Sequence, residues 1–321
     1  MHAFIRHAYD LTTGTRPKSE AALEEVLREE TPGWVHLDAA DPAAADWVDG
    51  ALDYLPHPVR DALTAAGTRP RAARFGDGVL LILRGLNTNP DQEPEDMVSL
   101  RIWVQGERVV SLSLRELATI RDLSVAIESE QGPDDAGGLL CFVIELLTAR
   151  LSDYLDRLDE EGDGLEREVL ETAHPHLRAR VNDMRGEVVD LRQFIAPQRE
   201  ALARLAAMDL PFLDADDRLR LAEAQDQGHR ILEVAESLRD RLAVLRDELS
   251  AAQEERTNRN LYRLSVISGV FLPLGTLTGL MGINLAGMPG ANWPPAFWVF
   301  TVSLCVLTVA LLAVLRWMRW L

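Results

Sequence analysis

LSVISGVFLPLGTLTGLM, residues 264–281, and FWVFTVSLCVLTVALLAVL, residues 297–315, are the two stretches that decide the fold. No Asp, Glu, Lys, Arg or His occurs from Leu264 to Leu315. A bilayer core about 30 Å thick needs about 20 apolar residues of helix. Gly, Pro and Asn cluster between the two stretches and predict a helix break there. The sequence therefore predicts a membrane hairpin with spans at about residues 262–283 and 294–315.

The flanking residues predict the orientation of this hairpin. Arg256, Arg259 and Arg263 precede the first span, Arg316 and Arg319 follow the second, and the connecting loop has no basic residue. The positive-inside rule then places both termini in the cytoplasm, and aromatic residues at both levels fit the two interfacial belts. We expect a multi-pass protein of the inner (plasma) membrane. The alternative is a buried helical hairpin in a soluble protein.

Charge is distributed very unevenly along the chain. All 51 acidic residues lie before Thr257, whereas the spans and their flanks carry only basic charge. An acidic body argues against nucleic acid and in favour of cations, although a solvated acidic surface explains it equally well. The only cysteines, Cys141 and Cys305, are far apart, so no disulfide framework and no cysteine-based zinc site is expected.

The first third of the chain predicts a cytoplasmic α/β domain, residues 1–133. Short apolar runs predict strands at residues 3–5, 34–37, 79–83, 98–104 and 108–112. Helical patterns begin at Asp41-Pro42, at Pro58 and at Arg115. The domain is expected to end near Gln131-Gly132-Pro133.

Residues 134–256 predict long stalk helices with coiled-coil-like seams. Apolar residues recur in steps of three and four in each of three segments, and Pro175 and Pro211 separate these segments. The three predicted seams are Ile144, Leu147, Leu151, Tyr154, Leu158 and Leu165; then Leu177, Val181, Met184, Val188, Leu191, Ile195, Gln198, Leu202 and Leu205; then Ile231, Ala235, Leu238, Leu242, Leu245 and Leu249. The third helix is expected to continue into the hairpin region, residues 257–321, and to pass signals mechanically to the membrane.

Gly282-Ile283-Asn284 lies where the first span leaves the membrane. An uncharged carboxamide beside exposed carbonyl groups suits a hydrated divalent cation, because it offers oxygen acceptors without removing the bound water. One asparagine cannot surround an ion. The arrangement therefore requires a ring of subunits around a central axis.

The hairpin resembles the CorA superfamily of divalent metal-ion transporters. The resemblance lies in Arg256-Thr257-Asn258, Phe271-Leu272-Pro273-Leu274, Thr278 to Asn284 and Met288-Pro289, together with a second span that has a basic end. The family has a Gly-Met-Asn tripeptide at this place. Ile283 in the middle of the tripeptide, with Leu-Pro-Leu-Gly upstream and Gly-Met-Pro-Gly downstream, is closer to the zinc-transporting ZntB branch.

The resemblance implies a funnel-shaped homopentamer in a lipid bilayer, with the first span lining the pore and the second outside it. Gly282, Ile283 and Asn284 would form the external entrance. The pore face would further include Asn258, Leu261, Leu264, Ser268, Leu272, Gly275 and Gly279. Helical geometry permits this stripe, because steps of three and four stay on one side of a helix. The leucines alone indicate ordinary apolar packing, but within a pore they would form a hydrophobic constriction.

The sequence departs from the better-known magnesium members at three positions. Met281 replaces the aromatic residue before the tripeptide, Ile283 replaces its middle Met, and Gly290 stands where those channels have an acid. The outer mouth therefore has no charged ring to concentrate cations. ZntB-like import is thought to be coupled to protons, but no acidic, basic or histidine side chain occurs from Leu264 to Leu315 to relay one.

Other residues offer weaker signals. Pro273 and the pair Gly275 and Gly279 favour helix packing over ion contact, and a hinge at Pro273 is a secondary hypothesis. His174 and His176 indicate a surface loop more strongly than a metal site, so cytoplasmic metal sites stay unassigned. The segment from Asp159 to Gly164 lacks the closing Glu of a calcium loop and predicts a solvated acidic helix segment.

The sequence predicts a divalent-cation transporter, with zinc as the ion and no cofactor. No phosphate-binding Gly-Lys-Ser/Thr motif, nucleophile elbow or His-Glu-x-x-His pair occurs, so an enzyme is not expected. The nearest alternative is a magnesium, cobalt or nickel channel of the same build. An alternative of another class is a membrane-anchored metal sensor or scaffold whose hairpin serves only as an anchor.

Overall fold

The computed structural model describes residues 2–17, 19, 22–23, 27, 31–172, 174, 176–283 and 293–317. It contains two compact units, Met1–Arg246 and Asp247–Leu321, called here the soluble unit and the membrane unit. The predicted division at residues 133 and 256 stays a prediction.

A six-stranded mixed sheet forms the centre of the soluble unit. Its strands are β1 (Ile5–Asp10), β2 (Gly33–Asp38), β3 (Arg71–Phe75), β4 (Gly78–Gly85), β5 (Val98–Gln105) and β6 (Arg108–Ser113). They lie in the order β1-β2-β6-β5-β4-β3, with β2 and β6 parallel and the other neighbours antiparallel. The strand predicted at residues 3–5 corresponds to β1, which begins at Ile5 and ends at Asp10, so the predicted bounds lie too early in the chain. β3 was not predicted, because Arg71–Phe75 has no apolar run and owes its conformation to pairing with β4.

Helices cover both faces of this sheet. Successive residues of β4 point to opposite sides, with Val79, Leu81 and Leu83 in one core and Leu80 and Ile82 in the other. The second core receives α1 (Pro42–Ala51) and α2 (His57–Thr64), and the first receives α3 (Ala118–Glu128) and the long helices. The Asp41 side chain accepts a hydrogen bond from the Ala43 backbone amide, as the predicted N-cap requires.

Three long helices follow, as the seams predicted. They are α4 (Ala136–Glu171), α5 (Leu177–Ala206) and α6 (Ala215–Met281). Every predicted seam residue of α5 and of the third segment is buried, and in α4 Tyr154 alone among the six is half-buried. The breaks fall at the two predicted places, although Pro175 itself lies outside the described residues. The expectation of one continuous third helix is confirmed, because α6 runs for 67 residues to Met281.

Salt bridges cross between the long helices outside the seams. Arg220 binds Glu145 through two hydrogen bonds of 2.7 and 2.9 Å, which link the start of α6 to α4. Farther along α6, Arg241 pairs with both Asp159 and Asp163 of α4. Partly exposed pairs of this kind contribute about 1 kcal/mol or less each. The apolar seams therefore supply most of the stability, and the charges help to fix the register.

The membrane unit contains the end of α6 and the helix α7 (Ala296–Trp317). Both helices are long and apolar enough to cross a membrane, and α7 has no buried residue. A core helix of a soluble protein would bury most of its side chains. The alternative of a buried soluble hairpin is therefore wrong for the described residues of this unit.

Candidate functional site

The threonine hydroxyl groups in the two spans are hydrogen-bonded within their own helices. Thr276 donates to the carbonyl of Leu272 at 2.8 Å, and Thr278 donates to that of Leu274 at 2.9 Å. In α7, Thr308 donates to the Leu304 carbonyl at 2.8 Å. Such bonds to the preceding turn remove the cost of placing a hydroxyl group in an apolar surrounding. The spans are consequently compatible with lipid in spite of these residues.

The glycines of the first span border open space in the single chain. A Cβ atom added at Gly269, Gly275 or Gly279 would meet no atom within 4 Å. Pro273 lies inside the helix and, having no N–H group, leaves the Gly269 carbonyl without its usual intrahelical bond. Small residues with nothing packed on them leave room for a neighbouring helix or for water.

The part of α6 within the membrane unit has one covered face. Val266 and Val270 are each only 9% exposed, and Pro273 and Leu274 are half-buried. On α7 the half-buried residues recur in steps of one, three and four: Ala296, Phe300, Thr301, Leu304, Leu307, Thr308, Leu311 and Leu315. Two such stripes indicate that the two spans pack against each other along these faces.

The residues predicted to line a pore lie on the other face of α6. Asn258, Leu261, Leu264, Ser268, Leu272, Gly275 and Gly279 are all exposed. At about 100° of rotation per residue, the centre of this stripe lies about 180° around the helix from the centre of the covered face. The exposed stripe therefore lies opposite the covered face of the first span.

The predicted external entrance is only partly described. The helix ends at Met281, and the Gly282 amide closes it by bonds to the carbonyl groups of Thr278 and Gly279, at 3.0 and 3.1 Å. Ile283 is exposed. Asn284 and the rest of the loop to residue 292, with Met288-Pro289 and Gly290, lie outside the described residues, as does Arg319. The position of the Asn284 amide stays a prediction.

The histidines of the described chain do not form a zinc site. No three His, Cys, Asp or Glu side chains among the described residues lie close enough together to hold a metal ion. His174 and His176 are near each other, with ring centroids 5.2 Å apart, but no third ligand joins them in the described structure. His57 pairs with Asp61 at 2.9 Å on the surface of α2. Metal sites in the soluble unit stay unassigned.

His36 is the most deeply buried histidine among the described residues. Burial lowers its pKa to about 3, with a smaller contribution from His7. Its two ring nitrogens lie 2.9 Å from Ser111 Oγ and 3.1 Å from Ser113 Oγ. The ring is therefore neutral and fully hydrogen-bonded, which makes it part of the core.

The acidic segment from Asp159 to Gly164 is helical, as predicted, but only partly solvated. It lies within α4, where Asp159 and Asp163 bind Arg241 and Gly162 is buried against Leu238. The sequence showed the acidic residues but not their partner. Arg241 is about 80 residues away along the chain and reaches them only after α4 and α6 pack together.

An acidic depression of 620 Å³ in the soluble unit was not predicted. Its carboxylates come from the loop before β5, from α4 and from α5: Glu93, Glu95, Glu161, Asp183, Glu187 and Asp190, with Arg180 among them. Tyr154 donates a hydrogen bond to Glu187. Burial, reinforced by the charges of the neighbouring acids, raises the pKa of Glu187. These residues are too far apart in sequence for any local pattern to join them.

The long-helix architecture and the terminal hairpin have close counterparts among known proteins. The family of CorA-like Mg²⁺ transporter proteins matches residues 29–317. The zinc transport protein ZntB of Pectobacterium atrosepticum is 34% identical over 322 residues, which cover 100% of this chain and 97% of that protein. The structure of the full-length CmaX protein is 32% identical, with a TM-score of 0.83 over 100% of this chain and 99% of that one.

A more distant structure shows that the fold is shared more widely. The complete CorA magnesium transporter of Methanocaldococcus jannaschii covers 91% of this chain and 93% of its own, with a TM-score of 0.75 at 18% identity. At that identity the likeness concerns the fold alone. It extends over both the soluble and the membrane unit.

Proposed function

Because this chain belongs to the CorA family of divalent-cation transporters, we propose that it carries zinc ions across the inner membrane through a central pore formed by five copies of α6. Its full-length relatives named zinc transport protein ZntB support zinc as the ion. The basic flanks of the hairpin support an orientation with both termini in the cytoplasm. The exposed stripe of α6, opposite the face covered within the membrane unit, is the observation that carries the proposal.

The stripe has the composition that a cation pathway requires. Asn258 and Ser268 offer oxygen atoms, and Gly275 and Gly279 expose backbone rather than side chains. Its leucines Leu261, Leu264 and Leu272 would exclude water when five copies meet, and such a constriction gates by dewetting. On a single chain these leucines are exposed. In a ring of subunits these leucines would be covered, and each would lie near the same leucine of the neighbouring copies.

Asn284, with the carbonyl groups of Gly282 and Ile283, is proposed as the external entrance. Five amides around an axis provide acceptors for the water molecules of a hydrated cation. From Leu264 to Leu315 the chain contains no acidic, basic or histidine side chain that could select by charge or relay a proton. Ion choice at the entrance therefore depends on the geometry of neutral oxygen atoms.

Zinc uptake into liposomes that contain the purified protein tests the proposal. Asn284→Ala is expected to lower the initial uptake rate by about tenfold or more, because each subunit loses its oxygen ligand at the entrance. Asn260→Ala, which changes the same residue type on α6 but off the stripe, is the matched control. Both variants must elute as the same oligomer as the unaltered protein. Equal uptake by all three proteins, or a monomeric protein, would overturn the proposal.

A magnesium channel of the same build is the second candidate. The name of the matching family, CorA-like Mg²⁺ transporter protein, favours it. Competition measurements in the same liposomes separate the two candidates. Zinc uptake that persists in the presence of excess magnesium supports a zinc transporter, whereas magnesium uptake that zinc does not inhibit supports the channel. If neither ion crosses in a correctly assembled oligomer, the protein is instead a membrane-anchored sensor or scaffold.

A further inference from the structure

The carboxyl ends of β2 and β6 form a special place in the sheet. These are the only parallel neighbours among the described strands. The helix after β2, α1, packs on one face of the sheet, and the helix after β6, α3, packs on the other. The connections therefore diverge at this edge and leave a crevice between them. Open α/β sheets bind their ligands in such crevices.

A cavity of 350 Å³ occupies this crevice. Its volume lies in the range of about 300–1,000 Å³ that is typical of small-molecule sites. The lining residues come from β1, from the ends of β2 and β6, from the loop after β6 and from the start of α3: Arg6, His7, His36, Asp38, Ser113, Arg115, Glu116, Leu117, Ile120 and Arg121. Leucine and isoleucine form an apolar wall, and the remaining lining is polar.

The charge of the cavity is opposite to that of the whole chain. Three arginines face two acids, although the protein carries a formal net charge of −18. Arg6 pairs with Asp38 at 2.5 Å, and Arg121 lies 4.0 Å from Glu116. The guanidinium group of Arg115 has no hydrogen bond or ion pair with any described residue. Arg115 is exposed and lines both this cavity and a neighbouring depression, so one positive group at the cavity is left without a partner among the described residues.

Uncharged donors and acceptors also line the cavity. Ser113 Oγ donates to the Arg115 carbonyl at 2.7 Å, which fixes the backbone that carries the guanidinium group. His36 Nε2 lies 3.1 Å from the same hydroxyl oxygen, so the ring donates there and holds the base of the cavity in place. His7 Nδ1 is buried and has no hydrogen-bond partner among the described residues. An unpaired buried ring nitrogen is costly, and a bound ligand would satisfy it.

We propose that this cavity binds the phosphate group of a small molecule, with Arg115 as its principal ligand. A guanidinium group forms two parallel hydrogen bonds with a phosphate, and it is the side chain best suited to that geometry. The apolar wall and the cavity volume accommodate a mononucleotide, and free phosphate presents the same oxygen atoms. The site lies in the soluble unit and is independent of the proposed transport function.

Equilibrium binding to the purified full-length protein in detergent tests the site. The probes are adenosine monophosphate and inorganic phosphate, each measured at constant ionic strength by calorimetry. Arg115→Ala is expected to weaken binding by about tenfold or more, because a charge-assisted pair of hydrogen bonds is lost. Arg115→Lys keeps the charge but cannot form the two parallel hydrogen bonds of a guanidinium group, so an intermediate affinity is expected. Arg178→Ala, at an exposed arginine of α5 outside the cavity, is the matched control.

The two probes distinguish the source of the phosphate group. Tighter binding of the nucleotide indicates an organic phosphate, and equal binding of both indicates that the anion alone is recognised; each result supports the site if it depends on Arg115. The proposal is overturned if neither probe binds saturably at about 1 mM. It is also overturned if Arg115→Ala, with unchanged elution and circular dichroism, binds as tightly as Arg178→Ala.

Discussion

Leu238 and Leu264 lie on the same helix but in different surroundings. Leu238, in the soluble unit, is 0% exposed, whereas Leu264, in the membrane unit, is 60% exposed. Both belong to regular apolar stripes of α6. The soluble unit covers its stripes with its own helices, but the membrane unit covers only the face that packs on α7. The difference shows that the soluble unit buries its own apolar stripes, whereas in the membrane unit the stripe that contains Leu264 stays exposed on the single chain; the proposed ring of subunits would cover it.

The arginines next to the two spans lack the partners that several arginines of the soluble unit have. In the soluble unit, Arg192, Arg220 and Arg241 each bind a carboxylate of another helix. At the ends of the two spans, Arg263 and Arg316 have no ion pair with any described residue. Unpaired arginines beside apolar spans are typical of the cytoplasmic membrane surface, where water and lipid headgroups solvate them.

The largest effect is expected when Leu238 and Leu264 are replaced by alanine in two separate variants. Leu238→Ala should lower the free energy of unfolding by about 2–5 kcal/mol, because it leaves a cavity in a closed seam. Leu264→Ala should leave the thermal midpoint of the soluble unit unchanged and alter the ion flux instead. Thermal unfolding of the detergent-purified protein by circular dichroism, with flux in liposomes, measures both. Equal loss of stability in the two variants would contradict the comparison.

A charge placed in each span sharpens the description of the membrane unit. Val306→Asp lies on the face of α7 opposite its half-buried stripe and should cost about 2.5–3.5 kcal/mol per chain in lipid. Ser268→Asp, at a polar position of the proposed water-facing stripe of α6, should be tolerated. The amount of oligomer recovered from membranes, measured by size-exclusion chromatography, should fall only for Val306→Asp. An equal decrease in recovered oligomer for both variants would contradict a water-facing stripe on α6.

A smaller effect is expected for the charged pairs of the soluble unit. Arg241→Gln breaks the links to Asp159 and Asp163 and should cost about 1 kcal/mol, less at high salt. Arg230→Gln, which breaks a more exposed pair with Glu223, is the control and should have almost no effect. Thermal midpoints at low and high salt measure both. A cost that does not change with salt would show that Arg241 acts through packing.

The smallest effect concerns Glu187, the half-buried acid of α5. Because the pKa of Glu187 is raised in the folded protein, the folded state binds this proton more tightly than the unfolded chain does. The ionised carboxylate therefore costs stability above the folded pKa, and that cost is absent below about pH 4, where both states are protonated. Glu187→Gln should raise the thermal midpoint at pH 7 but not at pH 4. Glu160→Gln, at an exposed position of α4, should shift neither midpoint.

Much of the fold follows from local patterns in the sequence. Every residue from Leu177 to Leu205 that the steps of three and four placed in the seam of α5 is buried, because a seam of this kind depends only on helical periodicity. β3 was missed, because Arg71–Phe75 carries no such pattern and is held by its neighbour. Of the proposed pathway, the stripe from Asn258 to Gly279 followed from the family resemblance and from helical spacing.

The sequence by itself determined two apolar spans, the continuous helix that leads into the first of them, and the family to which the chain belongs. Each depends on residues close together in the chain, through hydrophobic length, periodicity or a short motif. Only the tertiary structure decided that Arg241 binds Asp159 and Asp163, that acids from three elements form one depression, and that Arg115 lines a cavity at the ends of β2 and β6. Contacts between residues distant in sequence depend on how whole elements pack, and no local pattern records that packing.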